Sequence, residues 1–241
     1  MVSPISHTFP GRGNALITGA SRGLGLELAR ELIQHGWNVV IDARNADALT
    51  QASTELSGPG KVIALAGDVT NAAHRADLVQ AVQQLGSLDL LINNASLLGP
   101  SPQPNLLAYP LDVLEQVYRT NVIAPLALIQ DLQQYLHAGA SIINITSDAG
   151  QEAYAGWGGY GSSKAALEHL SAILSAEQPE FAIYWVDPGD MNTQMQQEAF
   201  PAEDVSDRPL PEVSVPGILS LFSQKYPSGR YTARALPARN A

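Results

Sequence analysis

A glycine-rich turn constrains this chain more than any other feature: Thr18-Gly19-Ala20-Ser21-Arg22-Gly23-Leu24-Gly25. It follows a short apolar run, Ala15-Leu16-Ile17, that reads as a buried strand. It opens a segment whose apolar residues Leu24, Leu28, Leu32 and Ile33 recur at helical spacing. Strand, glycine turn and helix, in that order, make a place for a dinucleotide. Glycines let the backbone turn sharply and approach a pyrophosphate, and the free N–H groups at the helix start favour an anion.

The rest of the chain repeats the alternation. Strand signals recur at 15–18, 38–41, 62–66, 88–92, 141–145 and 182–186, with a last one near 229–232, and helical signals lie between them. The apolar runs are short and nearly continuous, as in parallel strands covered on both faces. Right-handed crossovers then predict an α/β fold: one Rossmann-like, doubly wound parallel sheet with helices on both faces, over residues 14–241. Residues 1–13, with Pro4, Pro10 and Gly11, read as a loose amino-terminal arm. Two proline-rich loops, 99–104 and 187–211, follow the fourth and sixth strands, where open α/β sheets bind ligands. A short helix is expected within 193–200.

Composition narrows the function. The formal net charge of −10 disfavours nucleic acid and anionic membrane as partners, because both surfaces are negative. With no cysteine, disulfides and thiol catalysis are excluded. The five histidines, His7, His35, His74, His137 and His169, are not paired at metal-ligand spacing, and helical surface positions explain most of them, so no metal is expected. No apolar stretch reaches membrane-spanning length and no secretory signal is visible, so a cytoplasmic protein is expected.

The candidate chemistry lies in the second half. Tyr160 and Lys164 stand four residues apart, so one helical turn puts a phenol and an ammonium on one face. Ser147 lies thirteen residues upstream of Tyr160, at the end of the preceding strand. Together they offer a proton donor, a charge that strengthens it as an acid, and a hydrogen-bond donor for a carbonyl. Each has an inert alternative, such as a helix cap for Ser147.

Turn and triplet together resemble the short-chain dehydrogenase/reductase family in its classical form, over nearly the whole chain. The spacing Thr18-Gly19-x-x-x-Gly23-x-Gly25 is similar to that family's, as are Asp68-Val69, Asn93-Asn94-Ala95, Asn121, Ser147, Tyr160, Lys164, Pro188-Gly189 and Thr193, all in its order. The resemblance implies hydride transfer with a nicotinamide cofactor. Tyr160 is then proton donor in reduction and base in oxidation, Lys164 holds the nicotinamide ribose, Ser147 donates to the substrate oxygen, and Asn121 holds a water that links Lys164 to solvent. Gly19, Ser21, Arg22, Gly23, Leu24 and Gly25 bind the cofactor, the glycines approaching the pyrophosphate while Arg22, with a hydroxyl from Ser21, helps hold the extra phosphate of NADP. Asp68 and Val69 meet the adenine, Asn94 and Ala95 border the adenosine half, and Pro188, Gly189 and Thr193 shape the carboxamide site. Where the family usually has glycine after Ala95, this chain has Ser96.

The cofactor choice falls at Asp42-Ala43-Arg44. An acid there binds the ribose of NAD, whereas arginine accommodates the extra phosphate of NADP. The family's NAD-selecting position holds Ala43, so Arg44, with Arg22, implies NADP(H). Asp42 is the argument for NAD(H), the alternative. Tyr154, Trp157, Leu97 and Leu98 are expected to wall the substrate, with Gln151, Glu152 and Gln194 as polar contacts. The loops hold no lysine or arginine cluster, so a small neutral carbonyl or secondary alcohol is expected. A catalytically idle cofactor sensor is the reading from another class, although such relatives usually lose the tyrosine or lysine. The resemblance also implies a homodimer or homotetramer, paired through the helices carrying Asn121 and Tyr160.

Overall fold

The computed structural model describes residues 11–236. Its strands are β1 (Asn14–Ile17), β2 (Asn38–Ala43), β3 (Val62–Ala66), β4 (Leu88–Asn93), β5 (Leu136–Ile145), β6 (Ala182–Asp187) and β7 (Gly229–Thr232). They form one sheet in the order β3-β2-β1-β4-β5-β6-β7, and every pairing is parallel. Its α-helices are α1 (Gly23–Gln34), α2 (Ala46–Glu55), α3 (Ala72–Leu85), α4 (Leu111–Tyr118), α5 (Ala124–Leu132), α6 (Gly158–Glu177), α7 (Gln194–Ala199) and α8 (Val215–Ser223).

Strand alternation explains the two layers. Ala15 and Ile17, Val39 and Ile41, Leu90 and Ile92, Ile143 and Ile145, and Tyr184 and Val186 face one way, into a core shared with α1 and α8. Leu16, Val40, Leu91, Ile142 and Ile183 face the other way, onto α3 and α5. The central strands are thus apolar on both faces, and exposed strand positions fall at β3, at the start of β5 and at the end of β7. β1 pairs β2 on one side and β4 on the other, so the strand order reverses there. Open sheets bind ligands at such a point, beyond the carboxyl ends of the strands.

The expected strands all form, with β5 longer than read. Its start pairs Leu136 with Leu88, across a register shift from the Leu90–Ser141 pair. The arm expected over 1–13 lies mostly outside the described residues. Among the described residues, no helix is long and apolar enough to cross a membrane.

Candidate active site

The glycine turn is held from below. Asp42 at the end of β2 accepts the Gly19 N–H through Oδ1 at 2.9 Å, and its own carbonyl accepts Ala20 N–H at 2.9 Å. Asn94 donates from Nδ2 to the carbonyls of Thr18 (2.9 Å) and Gly19 (3.1 Å), and the N–H groups of Asn94 and Ala95 both donate to Thr18 Oγ1 at 3.0 Å. These bonds occupy the inner side of the turn. A Cβ on Gly25 would lie 2.5 Å from Asn94 Nδ2, so only glycine allows this brace.

On the outer side the turn is open. Gly23 has φ +56°, and a Cβ there would meet nothing nearer than Thr193 Cγ2 at 3.6 Å. α1 starts here with no acidic residue in its first turn, so its N–H groups are free to meet an anion. A groove of about 1000 Å³ runs past Gly19, Ser21, Arg22, Gly23 and Leu24, then Arg44, Asp68, Val69, Asn94 and Ala95, to Thr193. Arg22 and Arg44 are exposed on it. Arg22 donates to Gln194 Oε1, while no ion pair is seen for Arg44 among the described residues. An open anion cradle with two guanidiniums fits a dinucleotide with an additional phosphate.

Asp42 lies on the groove wall, but both of its carboxylate oxygens are engaged. It is 2% exposed, and Oδ2 meets His74 Nε2 at 3.1 Å while Oδ1 holds the turn. His74 is accordingly buried, unlike the surface positions expected of most of the histidines. Asp68 is tied locally, accepting the N–H (2.8 Å) and hydroxyl (2.7 Å) of Thr70, and remains at the groove rim.

The structure brings Ser147, Tyr160, Lys164 and Asn121 together. Ser147 follows β5, donates to Asp148 Oδ1 at 2.9 Å and accepts Ala149 N–H at 3.2 Å, so it is also the cap of the next turn. Tyr160 and Lys164 lie on α6, with Lys164 Nζ 5.4 Å from the Tyr160 ring centroid. Lys164 is 2% exposed, and Nζ donates to the Ile145 carbonyl at 2.8 Å. Burial lowers its pKa to about 7, and Glu168 pulls the other way. Burial drives the Tyr160 phenol well above its ordinary value. The Asp187 and Asp148 carboxylates add to that rise, and hydrogen bonds with Ser96 and Ser147 oppose it. Tyr160 therefore carries its proton at neutral pH.

Asn121 sits in a π-helical turn, Arg119–Ile123, between α4 and α5. Its Oδ1 accepts Leu97 N–H (2.7 Å) and Ser96 Oγ–H (3.1 Å), and its Nδ2 donates to Leu97 O (2.9 Å) and Ser163 Oγ (2.9 Å). The amide is saturated, so what it can offer a water is its backbone carbonyl. Pro125, four residues on, has no N–H to engage that carbonyl in the α-helical pattern.

Sequence reading missed a buried ionic brace behind these groups. Glu168, one turn after Lys164, accepts from Thr146 Oγ1 (2.8 Å) and Arg230 Nε (3.0 Å). Arg230 on β7 also donates to the Ser147 carbonyl at 3.3 Å and lies 3.7 Å from Asp187 Oδ2. One guanidinium thus ties together the ends of β5, β6 and α6. Glu168 and Arg230 stand 62 positions apart, so no local spacing could have paired them.

A second cavity of about 280 Å³ opens beside Ser147. Tyr154, Trp157 and Phe200 give it aromatic walls, Pro188 and Gly189 line its edge, and Asp148, Asp187 and Asp190 supply its charge. Burial, then the neighbouring carboxylates, raise the Asp187 pKa, against the Gly189 N–H and Arg230. Leu98, which lines the long groove, packs on Ala149 and Tyr160 with Trp157. The polar contacts differ from expectation. Gln194 is taken up by Arg22 and Glu198, and Gln151 by Glu168. Gln196 lines the cavity instead, and its buried Nε2 has no protein partner. The two proline-rich loops meet above, where Ser101 Oγ donates to the Glu198 carbonyl at 2.6 Å. The helix expected in the second loop is α7, capped by Thr193 Oγ1 on Gln196 N–H at 3.2 Å.

Comparison with known proteins bears on this arrangement. A family model described as "short chain dehydrogenase" matches residues 13–204. A rhamnolipid-biosynthesis 3-oxoacyl-[acyl-carrier-protein] reductase of Pseudomonas aeruginosa is 39% identical over 175 residues, which are 68% of this chain and 66% of that one, just under two thirds of its length. A solved short chain dehydrogenase of Pseudomonas syringae superposes with a TM-score of 0.87 at 31% identity, covering 97% of this chain and 98% of the other. One from Shigella flexneri, complexed with NADP, gives a TM-score of 0.84 at 26% identity, covering 95% and 100%.

Proposed function

The chain belongs to the short chain dehydrogenase family of oxidoreductases, and from that membership we propose that it reduces a small carbonyl compound to the alcohol with NADPH, Tyr160 donating the proton. The observation that carries the reading is the buried Tyr160, with Lys164 one helical turn away on α6 and Ser147 on the wall of the small cavity. When bound, the cofactor supplies the hydride. Ser147 donates a hydrogen bond to the substrate oxygen and stabilises the charge that grows on it. Tyr160 gives that oxygen its proton. Lys164, buried beneath, holds the cofactor ribose and lowers the cost of the phenolate left behind.

The two exposed guanidiniums support NADP(H), as does the NADP-bound Shigella flexneri neighbour. The engagement of both Asp42 oxygens by the Gly19 N–H and His74 also favours NADP(H) over NAD(H). The relative's acyl-carrier substrate does not carry over. No lysine or arginine lines the small cavity, and three aspartates do. We expect a neutral aryl ketone or diketone to be reduced with kcat/KM at least about tenfold above that of its carboxylate-bearing analogue, because one unfavourable charge contact costs on the order of 1 kcal/mol or more. Initial rates on matched pairs check this. Equal rates would remove the cavity's charge from the argument, and no turnover of any carbonyl would count against the reductase reading.

Two copies pair, in this reading, through α4–α5 and α6. Leu107, Leu111, Ile123 and Ile173 are exposed there although large and apolar. Sedimentation at micromolar concentration should show a dimer or tetramer, and a lone monomer would reject the pairing.

A further inference from the structure

We propose that Arg230 is a positioning residue for the reaction: it holds the Ser147 turn in place against α6, so that the Ser147 and Tyr160 hydroxyls converge on one substrate oxygen. The inference rests on the roles given to those two residues above. They come from different elements, since Ser147 follows β5 whereas Tyr160 and Lys164 are carried by α6. Three successive residues at the end of β5 are each held by a charged side chain. The Ile145 carbonyl accepts from Lys164 Nζ at 2.8 Å, and Thr146 Oγ1 donates to Glu168 Oε1 at 2.8 Å. The Ser147 carbonyl accepts from Arg230 Nη2 at 3.3 Å. The last two holds are themselves joined, because Arg230 Nε donates to Glu168 Oε1 at 3.0 Å.

The guanidinium fork makes this possible. Its donors stand at fixed angles, so the Glu168 carboxylate and the Ser147 carbonyl cannot drift apart without the loss of one bond. Glu168 is 8% exposed, so its bond to Arg230 is charge-assisted and little contested by water. Glu168 also belongs to the helix of Tyr160 and Lys164, one turn beyond the lysine. Arg230 is anchored in turn by the sheet, where it stands opposite Trp185 in the β6–β7 pair. The Ser147 turn lies directly on this carboxylate: a Cβ on Gly150 would fall 3.1 Å from Glu168 Oε1 and 3.2 Å from the Ala165 nitrogen. Arg230 lines neither the long groove nor the small cavity, so it acts through Ser147 and not on the substrate. Two donors that share one oxygen are sensitive to their separation, and a misplacement of about 1 Å costs on the order of a hundredfold in rate.

The test uses the whole protein with Arg230→Lys, alone and combined with Ser147→Ala. Lysine keeps a positive charge opposite Glu168, which preserves folding, but a point cation cannot hold both partners as the fork does. In the single variant, kcat for ketone reduction should fall about ten- to a hundredfold, while the Kd for NADPH, followed by fluorescence, stays at the wild-type value. In the Ser147→Ala background the same substitution should lower kcat little further, because its effect passes through the serine. A general loss of stability would instead lower kcat by the same factor in both backgrounds, and that result would overturn the proposal. So would wild-type kcat in Arg230→Lys, which would leave the charge alone as the requirement. Crystal structures of the wild type and Arg230→Lys give a reading that does not need turnover. The separation of Ser147 Oγ from the Tyr160 hydroxyl should change by about 1 Å, and an unchanged separation would overturn the proposal. Absence of turnover in the wild type would be a failure of the reductase reading, and the two structures would still decide the role of Arg230.

Discussion

Replacing Tyr160 with phenylalanine should lower kcat for carbonyl reduction about a thousandfold, in the range of a lost general acid. NADPH binding should persist. The substitution removes one hydroxyl and keeps the ring, whose packing on Leu98, Ala149 and Trp157 is apolar. It also removes a group whose burial leaves it protonated at neutral pH, which is the form a proton donor requires. Lys164→Met on top of Tyr160→Phe should add little, because the two act on one step and such losses are not additive. Steady-state rates, with cofactor binding followed by fluorescence, check both statements. A Tyr160→Phe enzyme with wild-type kcat would make the tyrosine a packing residue.

The second large effect concerns cofactor choice. Arg22→Ala and Arg44→Ala together should lower the preference for NADPH over NADH by about a thousandfold, and each alone by roughly ten- to a hundredfold. Both side chains stand at the groove beside the open face of the glycine turn. A charge-assisted pair with a phosphate is lost with each, while the rest of the dinucleotide keeps its contacts. The ratio of kcat/KM for the two cofactors measures this. A ratio unchanged in the double variant would place the selecting group elsewhere.

Much of this was legible in the residues, for identifiable reasons. Each strand from β1 to β6 carries a short apolar run, and a two-faced parallel sheet needs that pattern, whereas the edge strand β7 is Gly-Arg-Tyr-Thr. β5 is the exception. Its first half, Leu136 to Ala140, contains Gly139 and exposed positions, so its strand character comes from pairing with Leu88 and is not written locally. The glycine turn, Ser147, Tyr160 and Lys164 could be read because their spacing is local. Asp42 was legible as an acid near the ribose site, but its direction was not. Only the fold shows that the Gly19 N–H and His74 claim both oxygens. Arg230 and Glu168 were invisible for the same reason, since they meet across strands far apart in sequence. Ser96 was noticed as a departure in the sequence. Only the fold shows that its hydroxyl donates to Asn121 Oδ1, at 3.1 Å.

The proposed function stands on hydride transfer from a nicotinamide cofactor to a carbonyl carbon beside Tyr160. The most direct test is reduction of a neutral ketone with NADPH deuterated at nicotinamide C4, the product being analysed by mass spectrometry and NMR. Direct hydride transfer would leave a single deuterium on the carbinol carbon of the product from the deuterated face, and that product would be lost in Tyr160→Phe. NADPH that binds but yields no labelled alcohol across aldehydes, ketones and diketones would contradict it, and would point instead to a protein that senses the cofactor without using it.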